Sequence, residues 1–288
     1  MASATNTAAI DLTFNDDYES DDEENRLIPP GLLPSFLSEA FEQLYDEDGL
    51  CVFGKGLGSF LLLAAFVRFY ADTKEGYVSI QQEEQQKQPA AATIRPPKPP
   101  LVLVLGLHNE GERQALQAIL TSWGCPPEFM PTMITNEAGQ SKDRTALYER
   151  GGVFCITSRI LIVDILSNVV TSQQITGLLV YHAHQVTEQS TEAFIIRIFQ
   201  SQKQPYGSGF VKAFCEHPDA LLQGFAKIDK VMKALHVRKL YLMPRFHHAV
   251  RQELEETTHP PIVTELHQSL TPRQGAVQHA VAAAVQAC

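Results

Sequence analysis

The sequence predicts an α/β protein, a parallel sheet sandwiched by helices and followed by an all-α segment. Short, wholly apolar runs such as Leu101–Leu107 and Gly177–Tyr181 read as strands buried on both faces. They alternate with segments of helical spacing, the pattern of a parallel sheet with crossover helices. The first of them, Leu50-Cys51-Val52-Phe53, runs into the glycine turn Gly54-Lys55-Gly56-Leu57-Gly58 and then a helix. That order, strand then glycine loop then helix, opens many nucleotide-binding α/β folds.

Residues 1–26 carry eight carboxylates against the single Arg26, a net of -7, and read as a solvated acidic tail. The remaining 25 acids face 22 bases, so the body is close to -3 although the whole chain is -10. The tail has neither the basic and apolar regions of a secretory signal nor the composition of a transit peptide. Pro34–Tyr45 has apolar residues at Phe36, Leu37, Ala40, Phe41 and Leu44, the spacing of an amphipathic helix. Another helix is expected from Ser59 to about Ala71; its apolar stretch Phe60–Val67 stops at Arg68, well short of the ~20 residues of a membrane span. Residues 76–100 turn to Gln, Glu, Ala, Lys and Pro and read as a flexible inserted loop. Beyond it, strands are expected at 101–107, 152–157, 177–181 and 209–215, and helices at 110–123, 159–166 and 192–200. From Leu221 to Arg251 the apolar spacing is helical, and Pro272–Cys288 is alanine-rich. The expected organisation is therefore a tail at 1–26, one α/β domain at 27–225 and a helical segment at 226–288. Cys51, Cys125, Cys155, Cys215 and Cys288 form no C-x-x-C, which argues against a disulfide framework or a cysteine zinc site and for a reducing cytosolic or nuclear home.

The motifs that should carry chemistry lack their reactive residues. A phosphate loop G-x-x-x-x-G-K-[ST] uses glycines to face backbone amides to phosphate, lysine on the β and γ phosphates and a hydroxyl on magnesium. Those positions hold Phe53, Gly58, Ser59 and Phe60, so the loop of Gly54, Gly56 and Gly58 remains while lysine and hydroxyl ligand are gone. Tyr181-His182-Ala183-His184 stands where a superfamily 2 helicase has D-E-A-H, whose acids hold magnesium and orient water. His182 and His184 form an H-x-H pair with no third ligand evident in the sequence, and solvated imidazoles at a strand end are the plainer reading. Ile156-Thr157-Ser158-Arg159-Ile160-Leu161 is similar to the helicase T-P-G-R-L-L motif, in which a helix N-terminus and a guanidinium hold single-strand phosphates. The alternative is a capping Thr157 and a surface Arg159.

Together, Gly151–Asp164, Ile175–His184, Glu192–Phe199, Gly209–Phe214 and Val237–His247 resemble the N-terminal helicase-like region of the XPF family, the large subunits of a eukaryotic structure-specific DNA repair endonuclease. The resemblance implies a first RecA-like domain of a disrupted superfamily 2 helicase, then the start of a helical insertion. The nuclease motif G-D-x(n)-E-R-K-x-x-x-D is absent here, because Glu149-Arg150 is followed by Gly151. Magnesium is expected only for that nuclease domain.

The resemblance further implies a nuclear module that engages single-stranded and junction DNA in nucleotide excision and interstrand crosslink repair, an XPA-like damage-recognition factor and a nuclease scaffold protein. A small partner subunit would pair only through a C-terminal region absent from this sequence. Candidate DNA contacts are Thr157, Ser158 and Arg159, with Lys239 and Arg245 from a stretch that interleaves Lys227, Lys230, Lys233, Arg238 and Arg251 with Tyr241 and Phe246. Such a charge run is often only the wet face of a helix. Two rival readings are a protein-interaction scaffold without DNA affinity, favoured by the body's acidity, and an ATP-driven helicase, disfavoured by the missing phosphate and magnesium ligands.

Overall fold

The computed structural model describes residues 31–71, 100–134, 141–201, 209–224, 227–256 and 268–287. Seven strands, β1 (Gly49–Phe53), β2 (Leu101–Leu105), β3 (Thr132–Ile134), β4 (Gly152–Ile156), β5 (Gly177–Val180), β6 (Phe210–Cys215) and β7 (Lys239–Met243), form one sheet. Its order is β3-β4-β2-β5-β6-β1-β7 and every pairing is parallel. The helices are α1 (Ser35–Asp46), α2 (Ser59–Ala71), α3 (Glu110–Ser122), α4 (Ser141–Arg150), α5 (Ser158–Leu166), α6 (Thr191–Ser201), α7 (Pro218–Leu222), α8 (Lys227–Leu235), α9 (His248–Glu256) and α10 (Pro272–Ala287). The α/β class and the parallel sheet are those the sequence implies. No described helix is long and apolar enough to cross a membrane.

The continuous apolar runs follow from burial on both faces. In β2, Val102 and Val104 enter a core shared with α1, α2 and α3, while Leu101, Leu103 and Leu105 enter a second core with α5, α6 and α8. β1 divides in the same way, with Cys51 and Phe53 on one side and Leu50 and Val52 on the other. Side chains alternate along a strand, so a strand with no wet face has no polar position to spare. α2 is buried almost all round, because it lies on the sheet between α1 and α3.

Two buried charges brace these layers. Lys212 of β6 is 2% exposed, and its Nζ donates to the carbonyls of Leu44 and Tyr45 at the C-terminal end of α1. The rings of Phe210, Phe66 and Tyr45 surround it at 5.1, 5.7 and 5.9 Å. A cation suits the negative end of a helix and the faces of aromatic rings. On the other side, Asp164 of α5 is fully buried and accepts from Arg144 Nε at 2.9 Å, Arg144 Nη2 at 2.7 Å and the Tyr148 hydroxyl at 2.8 Å. This forked pair fixes α5 to α4.

The sequence reading needs correction in its last third. Lys239–Met243 is a strand, paired with β1 from Gly49↔Lys239 to Phe53↔Met243, inside the segment read as helical. It is an edge strand with only Met243 fully buried, so its pattern lacks the apolar run of the inner strands. The first compact unit accordingly extends through Glu253 and not to about 225. The second unit, from Leu254, contains α10, which has no buried residue. The three-residue β3 and the helix α4 also went unread. The acidic tail at 1–26 lies outside the described residues, as does the loop expected at 76–100 apart from Pro100.

Removing one partner of a buried, hydrogen-bonded pair leaves the other uncompensated, so Asp164→Ala is expected to cost about 3 kcal/mol in urea unfolding. Tyr148→Phe, which deletes one hydrogen bond, should cost about 1 kcal/mol. Equal, small losses for both variants would show that the pair does not brace α5.

Candidate functional site

The carboxyl ends of parallel strands share one rim, where open α/β sheets bind ligands. Here β1, β6 and β5 end side by side, and the altered motifs meet there. Gly54–Gly58 turns from β1 into α2, with the Gly54 amide on the Met243 carbonyl at 3.0 Å and the Leu57 amide on the Gly54 carbonyl at 3.1 Å. Gly58 has φ +82°, a conformation that favours glycine. Ser59, aligned with the lysine, is fully buried, and its hydroxyl donates to Glu216 Oε2 at 3.0 Å. Phe60, in place of the magnesium-binding hydroxyl, packs edge-on against Tyr181, in place of the aspartate, at 5.3 Å between ring centroids. Two aromatic rings thus touch at the positions that the sequence pattern aligns with a helicase's metal ligands. Burial pushes the Tyr181 phenol up to about 12, with the Glu216 charge adding to the rise. Arg245 Nη2 donates to the Lys55 carbonyl at 2.9 Å and ties the loop to the segment after β7.

The backbone at Tyr181 is held closely: a Cβ on Gly106 would lie 2.2 Å from the Tyr181 carbonyl oxygen, and Gly106 has φ +92°. The next residue, His182, takes a left-handed φ of 52°, and its Nε2 lies 2.8 Å from Glu112 Oε1. Glu112 also accepts the His108 amide at 2.9 Å, while its own amide donates to the capping Asn109 at 2.7 Å. Desolvation raises the Glu112 carboxyl, but the His182 hydrogen bond and charge and the backbone of Asn109 and His108 outweigh it and hold the group below its usual range. Ala183 is fully buried. His184 places Nδ1 3.7 Å from Cys215 Sγ, and its ring lies 4.8 Å from that of His217. Burial, then the charges of His217 and His182, lower its imidazole to about 4.

The candidate DNA contacts are dispersed. Thr157 caps α5 with its carbonyl, which accepts the Ile160 and Leu161 amides, while its side chain makes no capping bond. Ser158 Oγ is committed to Glu192 Oε1 at 2.6 Å, and Arg159 is exposed. Lys239 opens β7 and pairs with Glu47 at 3.0 Å, whereas Arg245 follows the other end of that strand. Arg245 and the Thr157 turn therefore share the carboxyl rim, five strand spacings or roughly 24 Å apart. Lys239 lies on the opposite rim. The residues the sequence did not mark are Glu216, His217 and Glu112; only strand order brings the first two beside β1 and β5.

If the Phe60–Tyr181 contact closes this rim, the two rings are energetically coupled. Denaturation of Phe60→Leu, Tyr181→Leu and the double variant should give a coupling of about 0.5–1.5 kcal/mol, the range of edge-on aromatic pairs. Strict additivity would mean that the rings merely adjoin.

No protein-family model matches the chain. It is 38% identical over 246 residues to the DNA repair endonuclease XPF of Mus musculus, an alignment covering 85% of this chain and 23% of the relative. With the DNA repair endonuclease UVH1 of Arabidopsis thaliana it shares 40% identity over 158 residues, 55% of this chain and 16% of the relative. The helicase domain of Pyrococcus furiosus Hef superposes with a TM-score of 0.55 at 14% identity, covering 76% of this chain and 39% of that one, a likeness of fold. The chain spans less than a quarter of the length of the curated relatives it matches. Seven parallel strands in a helicase-domain fold, joined to this identity across most of the chain, make it a homologue of one region of the XPF family of DNA repair endonucleases.

Proposed function

We propose that the chain is a non-catalytic, helicase-like module of an XPF-type structure-specific repair endonuclease, which engages single-stranded and junction DNA and repair proteins in the nucleus. Its work is positioning, not turnover. The observation that carries this reading is the Phe60–Tyr181 contact with Ser59 on Glu216: the sites of lysine, hydroxyl and aspartate are filled by side chains that bind one another. Nucleotide excision repair and interstrand crosslink repair are the settings its homology favours, with an XPA-like damage-recognition factor and a nuclease scaffold protein as partners.

For DNA, support comes from the α5 N-terminus. Its Thr157 hydroxyl makes no cap bond and its Arg159 is exposed, an arrangement suited to phosphate. Glu192, bonded to Ser158, sets a negative charge beside that turn and weakens the case for Ser158 itself. Arg245 and Lys239 would add contacts only along other parts of the DNA path, and each already has a protein partner. The scaffold reading gains from exposed Leu242 and Phe246, the latter 84% exposed, at and just beyond the edge strand.

The deciding experiment is a titration of splayed-arm DNA at several salt concentrations. Arg159→Ala should weaken binding by about 1–2 kcal/mol for every sequence and flatten the salt dependence by about one phosphate contact. No binding at low salt by the folded protein would discard the DNA role and leave the scaffold. In the same preparations no DNA-stimulated ATP hydrolysis is expected; turnover near 1 per second, abolished by Gly58→Asp, would restore the helicase reading.

A further inference from the structure

We infer that His182, His184 and His217 form a binding site for one divalent transition-metal ion of the zinc class, at the rim where β5 and β6 end. The three half-buried imidazoles each offer a ring nitrogen, and these ligand atoms all lie within 4.8 Å of one another. Nitrogens bound at about 2.0–2.1 Å in a tetrahedral site are roughly 3.4 Å apart, so the three imidazoles need to close by only about 1.4 Å or less to hold an ion. Two adjacent strands bring them together. β5 delivers the 182–185 turn, adjacent β6 delivers His217 just past Cys215, and parallel pairing sets both strand ends on one rim.

The surrounding groups suit a metal better than they suit three solvated imidazoles. A ligating histidine usually gives its other nitrogen to a carboxylate, a carbonyl or another acceptor, which fixes the ring. His182 has Nε2 at 2.8 Å from Glu112, leaving Nδ1 for a metal, and Glu112 is anchored by the His108 amide. His184 has Nδ1 beside Cys215 Sγ, leaving Nε2. The same sulfur accepts the His217 amide at 3.4 Å, which sets the backbone of the third ligand. Three nitrogens with no carboxylate among them favour zinc, cobalt or copper over magnesium, which needs oxygen ligands. The fourth position is open to water. Bound there, the ion clamps two neighbouring strand ends.

The test uses the full chain, reduced with a phosphine and freed of metal. Zinc should bind with one equivalent and raise the melting temperature. Cobalt should give the visible bands of a tetrahedral site without the intense near-ultraviolet band of a thiolate ligand. His184→Asn and His217→Asn, with folding checked by circular dichroism, should each lose at least about tenfold in zinc affinity. Glu112→Gln, which keeps all three imidazoles, should lose about 10-fold or somewhat more, and Cys125→Ser nothing. The inference is overturned by the absence of saturable zinc uptake up to about 100 μM, by uptake unchanged in both histidine variants, or by a cobalt spectrum dominated by thiolate.

Discussion

A parallel sheet cannot return its chain by a tight turn, so every connection must cross a face and every strand must finish on the same rim. That requirement governs the molecule. It covers both faces with helices, which makes the inner strands apolar throughout, and it gathers the ends of β1, β5, β6 and β7 within a few strand spacings. Ser59 meets Glu216, His182 meets Glu112 and Arg245 meets Lys55 on this rim, pairs far apart in the chain.

The substitutions on this rim are mutually consistent. An ATP-hydrolysing site balances a lysine and a magnesium ion against carboxylates and phosphates. A buried carboxylate left alone there would be costly. In the proposed reading Ser59, Phe60, Tyr181 and His182 stand where such a site would have its cation, metal hydroxyl and two acids, and each has a partner among the others or in Glu216 and Glu112. The loop keeps its glycines because its path from β1 to α2 still needs a left-handed turn at Gly58.

What could be read from the sequence was whatever repeats locally. The inner strands announced themselves by unbroken apolar runs, and α1, α2, α3 and α6 by their helical spacing. β7 was hidden because an edge strand with a Lys at its start and two exposed residues need not look apolar, and β3, with three residues, is too short to show a period. At the site, the altered phosphate loop and the Tyr181–His184 turn were legible as departures from known patterns. Their partners were not: nothing near Glu216 or His217 in the chain points to Ser59 or His184, since only the β1-β6 and β6-β5 pairings bring them close. Arg245 was marked for its charge, yet the structure spends that charge on the Lys55 carbonyl.

Lys212 carries a consequence for how the fold opens. Its amine is held by the end of α1, three aromatic rings and Asp48 at 4.0 Å, and the residue is only 2% exposed, so an acylating reagent or an acetyltransferase meets it far less readily than a surface amine. Its modification should therefore follow the local opening of this cluster and not the chemistry of a free lysine. The residue reports on the packing between α1 and β6, readable by mass spectrometry without any label introduced into the chain.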